Sequence, residues 1–141
     1  MIVFWKIAKA FGVAALVLVL GSAGLAAQEK APFTPERFAE LQAQDALILI
    51  DVHADWCPTC AQQQKILADF QAEHAEVPLH ILEVNFDEQK QYVTRFRAPR
   101  QSTLILYHGD ERVWFSVAET RPEVVIRELM KAAAALGAGA H

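Results

Sequence analysis

Two largely apolar runs lie in the middle of the chain. Residues 46–54 form the more continuous run, interrupted only by Asp51 and His53. Such a run is too apolar for a half-exposed strand, so it predicts a central strand covered on both faces. Residues 79–86 predict a second buried strand in the same way.

Helical signals separate these strands. Thr34, Pro35 and Glu36 have the order of an N-cap, a first helical residue and a first-turn acid. The predicted elements, in chain order, are a linker before residue 34, a helix to about 43, a strand over 46–54, a helix over 58–74, a strand over 79–86, a short helix over 88–96, two strands over 102–107 and 112–117 joined as a hairpin, and a helix over 122–136. This order predicts an α/β fold with a mixed central β-sheet flanked by helices.

The helix over 58–74 has a clear apolar stripe. Its core-facing residues are predicted to be Ile66, Leu67 and Phe70. The predicted residues near its exposed side are Gln62, Gln63 and Gln64.

The N-terminus differs in composition from the rest. Lys6 and Lys9 precede an apolar stretch over 10–20 and a small-residue segment over 21–27. This order is typical of a secretory signal cleaved after Ala26 or Ala27, and an uncleaved membrane anchor is the alternative. We therefore divide the chain into a signal or anchor over 1–27 and one domain over 28–141. The domain is predicted to be periplasmic or otherwise exported. If segment 1–27 is an uncleaved anchor, it tethers the domain to the inner membrane.

The chain carries a net charge of −4, and removal of the two lysines would leave the domain more acidic. Acidic domains are poor ligands for nucleic acids and anionic membranes, so we predict neither as a partner.

The only two cysteines lie in the segment Trp56-Cys57-Pro58-Thr59-Cys60, between the first strand and its helix. A Cys-x-x-Cys at this place in a βαβ pattern is a redox signature. Cys57 is expected at the helix N-cap, where free backbone N–H groups favour a thiolate, so it is the predicted nucleophile. Cys60, one turn further, is the predicted resolving cysteine.

Two other interpretations of the pair remain open. An inert structural disulfide would remove little chain entropy, because its loop is only four residues long. The second is a binding module that holds copper or another soft metal for delivery, with Cys57 and Cys60 as ligands and His53 as a further one. Zinc needs about four ligands, and the sequence offers no second pair to complete a set. For the leading interpretation we predict no metal and no cofactor.

Residues 45–136 resemble the thioredoxin family. The segment Asp51-Val-His-Ala-Asp-Trp-Cys-Pro-Thr-Cys60 is similar to the family's strand, buried acid, tryptophan and active-site cysteines. Residues 103–107, the turn at Gly109 and the strand after it are similar to the family's hairpin. Within the family, the lead-in is similar to the periplasmic C-terminal domain of the transmembrane thiol-electron transporter. The Cys-Pro-Thr-Cys loop is similar to the cytochrome c maturation thioredoxins. The resemblance implies a thioredoxin fold and thiol–disulfide oxidoreductase activity in a reductive, exported setting.

The resemblance also implies roles for two acids. Asp51 takes the place of the family's buried carboxylate, so we predict that it exchanges a proton with Cys60 through water. Glu83 falls where thioredoxin carries a lysine. If both side chains point the same way, their repulsion is expected to raise the pKa of one of the two acids and to disfavour a thiolate. The alternative is that Glu83 is a strand residue near solvent.

The chain departs from the family pattern at Ser102, where the resemblance implies a cis-proline. A cis peptide before a non-proline residue costs about 2.5–4 kcal/mol, so we expect the Gln101–Ser102 bond to be trans. Serine could donate a hydrogen bond to a thiolate, whereas a register shift that brings Pro99 into this place is the alternative.

The resemblance further implies that protein disulfides are the substrates and that a membrane thiol-electron donor re-reduces the protein. We predict a monomer after export. The predicted substrate-contacting residues are Trp56, Pro58, Thr59, Ser102 and Thr103.

Overall fold

A computed structural model describes residues 28–138, which form a five-stranded sheet with helices on both faces. The predicted segment 1–27 lies outside these residues. The elements in chain order are β1 (Glu29–Pro32), α1 (Pro35–Ala43), β2 (Leu47–His53), α2 (Pro58–Glu73), β3 (Leu79–Asn85), α3 (Lys90–Arg95), β4 (Thr103–His108), β5 (Glu111–Val117) and α4 (Pro122–Ala138). The predicted α/β class and every predicted helix and strand are confirmed to within a few residues.

The strands are ordered β1-β3-β2-β4-β5. Strands β1 and β2 both pair with β3 in parallel, whereas β4 runs antiparallel to β2 and to β5. Strand β2 therefore lies at the centre of the sheet. Its first six residues are fully buried, as its apolar sequence predicts.

Alternate residues of β2 enter two different cores. Leu47 and Leu49 pack with α2 and α4 on one face, and Ile48 and Ile50 pack with α1 and α3 on the other. Asp51 continues the first series, so it points to the face covered by α2. This helix begins with the two cysteines, so the acid and the thiol pair lie on the same side of the sheet.

The sequence predicts a linker before Thr34, whereas the structure has strand β1 there. Its sequence Glu29-Lys30-Ala31-Pro32 has no apolar alternation, and it pairs on one side only, with β3. Proline is tolerated at such an edge because no ladder partner needs its missing N–H group. The linker prediction is therefore wrong.

No helix within residues 28–138 is long and apolar enough to cross a membrane.

Candidate active site

Cys57 and Cys60 form a disulfide at the N-terminus of α2, with their Cα atoms 5.3 Å apart. Cys57 is the N-cap residue, and its Sγ accepts a hydrogen bond from the Cys60 backbone N–H at 3.1 Å. Pro58 follows in the first turn, where its missing N–H group is not needed. On reduction, the free N–H groups and the helix dipole would favour a thiolate at Cys57.

Ser102 lies directly against the disulfide. Its Oγ is 3.1 Å from the Cys57 Sγ and 3.3 Å from the Cys60 Sγ, and the residue is fully buried. No peptide bond in the described part of the chain is cis, so the expected trans bond before Ser102 is confirmed. Pro99 is exposed, and the alternative that it takes this place is wrong.

The backbone of Ser102 is left-handed, with φ of +63°. This conformation costs a non-glycine residue about 1–2 kcal/mol, so the surrounding structure must hold it. The Ser102 carbonyl accepts hydrogen bonds from the Ala118 backbone N–H at 2.8 Å and from Gln63 Nε2 at 3.1 Å. These contacts tie the segment before β4 both to the segment after β5 and to α2.

Gln63 itself is fully buried, so the prediction that it lies near the exposed side of α2 is wrong. Its Nε2 also donates to the Glu119 carbonyl at 3.0 Å. The helical spacing does contain a signal for this position, because Cys60, Gln63, Leu67 and Phe70 recur every three or four residues. The polar character of glutamine conceals it.

Asp51 is fully buried in β2, as predicted. Its two carboxylate oxygens have no direct hydrogen-bond partner. It lines a cavity of about 20 Å³, which is large enough for one water molecule, together with Lys30, Gln64, Leu67, Ala68, Gln71 and Ile81. Neither cysteine lines this cavity, so it offers room for a water molecule at Asp51, and the proton path to Cys60 stays a prediction.

The pKa of Asp51 is raised to about 6, and burial is the largest cause. The charge of Glu83 contributes to the rise, whereas His53, Gln64 and Lys30 oppose it. Glu83 is the neighbour of Asp51 in the parallel pairing of β2 with β3, so both side chains point to the same face. The two side chains thus point the same way, and Asp51 is the acid whose pKa rises. The expected effect on a thiolate stays a prediction. A group with such a pKa can exchange protons near neutral pH.

Glu83 does not stand alone, because Lys30 Nζ from β1 lies 3.1 Å from its carboxylate. Gln64 Nε2 lies 3.5 Å from the same carboxylate. The unpredicted strand thus supplies a cation beside the acidic pair.

The predicted substrate-contacting residues differ in exposure. Trp56 is 62% exposed, and its indole N–H donates to Asp87 Oδ2 at 2.7 Å. Pro58 is exposed and Thr59 half-buried. Thr103 is fully buried, and its hydroxyl donates to the Arg100 carbonyl at 2.6 Å, which supports the loop that carries Ser102. Their assignment to substrate contact stays a prediction.

The copper alternative gains no further ligand from the structure. Within residues 28–138, no group of three or more His, Cys, Asp or Glu side chains is arranged to hold a metal ion. His53 is half-buried, with its Nδ1 3.9 Å from Asp55 Oδ1.

Residues 29–132 match the family model described as Thioredoxin. Among solved structures, the chain is similar to Trxlp from Edwardsiella tarda EIB202, with 40% sequence identity, a TM-score of 0.66, and coverage of 72% of this chain and 97% of that chain. Thioredoxin from Malassezia sympodialis is 16% identical, with a TM-score of 0.61 and coverage of 76% and 94%. Thioredoxin from Trypanosoma brucei brucei is 17% identical, with a TM-score of 0.60 and coverage of 72% and 88%. The last two likenesses show a shared fold.

Proposed function

The chain belongs to the thioredoxin family, and from that premise we propose that it is a thiol–disulfide oxidoreductase that reduces disulfides in exported proteins. The observation that carries the proposal is the Cys57–Cys60 disulfide with Cys57 as the N-cap of α2. Disulfides of this kind open and close through a thiolate at the N-cap sulfur.

The proposed reaction starts from the reduced pair. The Cys57 thiolate attacks a substrate disulfide, forms a mixed disulfide and releases one substrate thiolate. Asp51 then accepts the Cys60 proton through water, and the Cys60 thiolate attacks the Cys57 Sγ. The Cys57–Cys60 disulfide forms, the second substrate thiolate leaves and takes up the proton that Asp51 accepted, and the substrate has gained two electrons.

We assign the return of two electrons and one proton, which restores the Cys57 thiolate and the Cys60 thiol, to a membrane-bound dithiol donor. The signal-like segment 1–27 supports an exported setting, and the domain over 28–141 is proposed to act there as a monomer. N-terminal sequencing of the protein from the native cell checks this: a terminus near residue 27 supports cleavage, and an intact Met1 supports the anchor.

Reduction of insulin by the wild-type protein, with its rate abolished in Cys57→Ser, tests the activity. Titratable thiols without any turnover would contradict it. A reduction potential near that of a strong oxidant, about −120 mV, would overturn the reductive direction.

The substrates can be captured with Cys60→Ser, which stops the reaction at the mixed disulfide. We expect exported proteins with cysteine pairs in the trapped complexes. Cys57→Ser is the matched control, and equal trapping by both variants would contradict the assigned order of attack.

A further inference from the structure

The side chain of Gln63 joins α2, the helix that begins with the cysteines, to two other segments. One segment precedes β4 and the other follows β5. Gln63 Nε2 uses its two hydrogens on the carbonyls of Ser102 and Glu119, at 3.1 and 3.0 Å. Ser102 immediately precedes β4, and Glu119 follows β5 by two residues. The amide therefore connects three parts of the site that are distant in sequence.

Packing alone does not explain a glutamine here. The residue is fully buried, and its Oε1 has no hydrogen-bond partner. A buried, unpaired amide oxygen is unfavourable, and an apolar side chain of similar size would avoid it. The two donated hydrogen bonds are what an apolar residue could not supply.

Those bonds act where the backbone is strained. Ser102 and Ala118 both have positive φ, of +63° and +56°, and the Ala118 N–H donates to the Ser102 carbonyl. Gln63 provides the second hydrogen bond to that carbonyl. The same residue carries the hydroxyl that lies 3.1 Å from the Cys57 sulfur.

We propose that Gln63 is a positioning residue: it holds Ser102 so that the serine hydroxyl donates a hydrogen bond to the Cys57 thiolate once the disulfide is reduced. The proposal rests on the redox function proposed above. It gives the Ser102 position a specific role in activating the attacking cysteine.

The test compares Gln63→Met, Ser102→Ala and the double variant through the pH profile of iodoacetamide alkylation of Cys57 in the reduced protein. We expect each single variant to raise the alkylation midpoint by about one pH unit, because the thiolate loses a charge-assisted hydrogen bond. The double variant should shift no further than either single variant, since both remove the same interaction. Gln62→Met, at the exposed neighbouring position, should leave the midpoint unchanged.

A wild-type midpoint in Gln63→Met would overturn the proposal, as would a double-variant shift equal to the sum of the two single shifts. Should Gln63→Met not fold, NMR of the glutamine-labelled wild-type protein decides instead. We expect the Gln63 side-chain amide protons to exchange slowly with solvent and their chemical shift to follow the titration of Cys57. Fast exchange without such a response contradicts the proposal. Insulin reduction by the wild type is measured separately. If the wild type does not reduce insulin, the proposed function fails; if it does and the alkylation midpoint of Gln63→Met is unchanged, only the role of Gln63 fails.

Discussion

Ser102 occupies a backbone conformation that proline cannot adopt, although the family resemblance implies a proline there. Proline fixes φ near −65°, whereas Ser102 has φ of +63°. Ser102→Pro is therefore expected to lower the free energy of unfolding by about 2 kcal/mol, because the loop must rearrange. Urea unfolding of the oxidised protein measures this.

Ser102→Ala serves as the control for that substitution, since it removes the hydroxyl and keeps the conformation. A Ser102→Pro protein at least as stable as Ser102→Ala would show that the loop accepts proline without loss, contrary to the prediction.

The second prediction at the scale of residues concerns the pKa of Asp51 and its two charged neighbours, Glu83 and Lys30. Glu83 raises the pKa of Asp51 and Lys30 lowers it. Glu83→Gln should therefore lower the pKa of Asp51, and Lys30→Met should raise it, each by about half a pH unit. An NMR titration of the Asp51 carboxyl carbon measures both shifts, and shifts of the same sign would contradict the assignment.

At the scale of elements, α3 ends in a conformation that favours glycine. Arg97 follows the helix with φ of +53°, its N–H bonds to the Thr94 carbonyl, and the Ala98 N–H bonds to the Val93 carbonyl. Arg97→Gly is expected to raise the free energy of unfolding by about 1 kcal/mol in urea unfolding. Arg97→Ala keeps the same backbone cost and should give no gain, so equal effects of the two substitutions would refute the explanation.

The elements also show what a single sequence can and cannot predict. Strand β2 and helix α2 follow from local apolar patterns, so the sequence predicts which elements carry Asp51 and the cysteines. Strand β1 depends on its register with β3, some fifty residues away, and has no local pattern of its own. The burial of Gln63 follows the helical spacing, but its hydrogen-bond acceptors are carbonyls 39 and 56 positions further along the chain. The periodicity of a sequence does not predict such contacts, because the tertiary fold determines them.

At the scale of the whole molecule, Asp51 makes stability depend on pH. Burial raises its pKa from 3.8 to about 6. Below pH 3.8 the group is protonated in both the folded and the unfolded state. As the pH rises towards 6, the unfolded chain releases the proton first, so the folded state loses stability. The full loss above that range is about 3 kcal/mol.

Asp51→Asn removes this loss, because the asparagine stays neutral at every pH. Above pH 7 the variant should be more stable than the wild type by about 3 kcal/mol, and the advantage should shrink below pH 6 and vanish near pH 4. Urea unfolding of the oxidised proteins across this range measures it, with Asp55→Asn, whose side chain is 89% exposed, as the control without effect. The same variant should reduce insulin more slowly, since Cys60 loses its proton acceptor. A stability gain that does not change with pH would mean that packing, and not the buried charge, sets the difference.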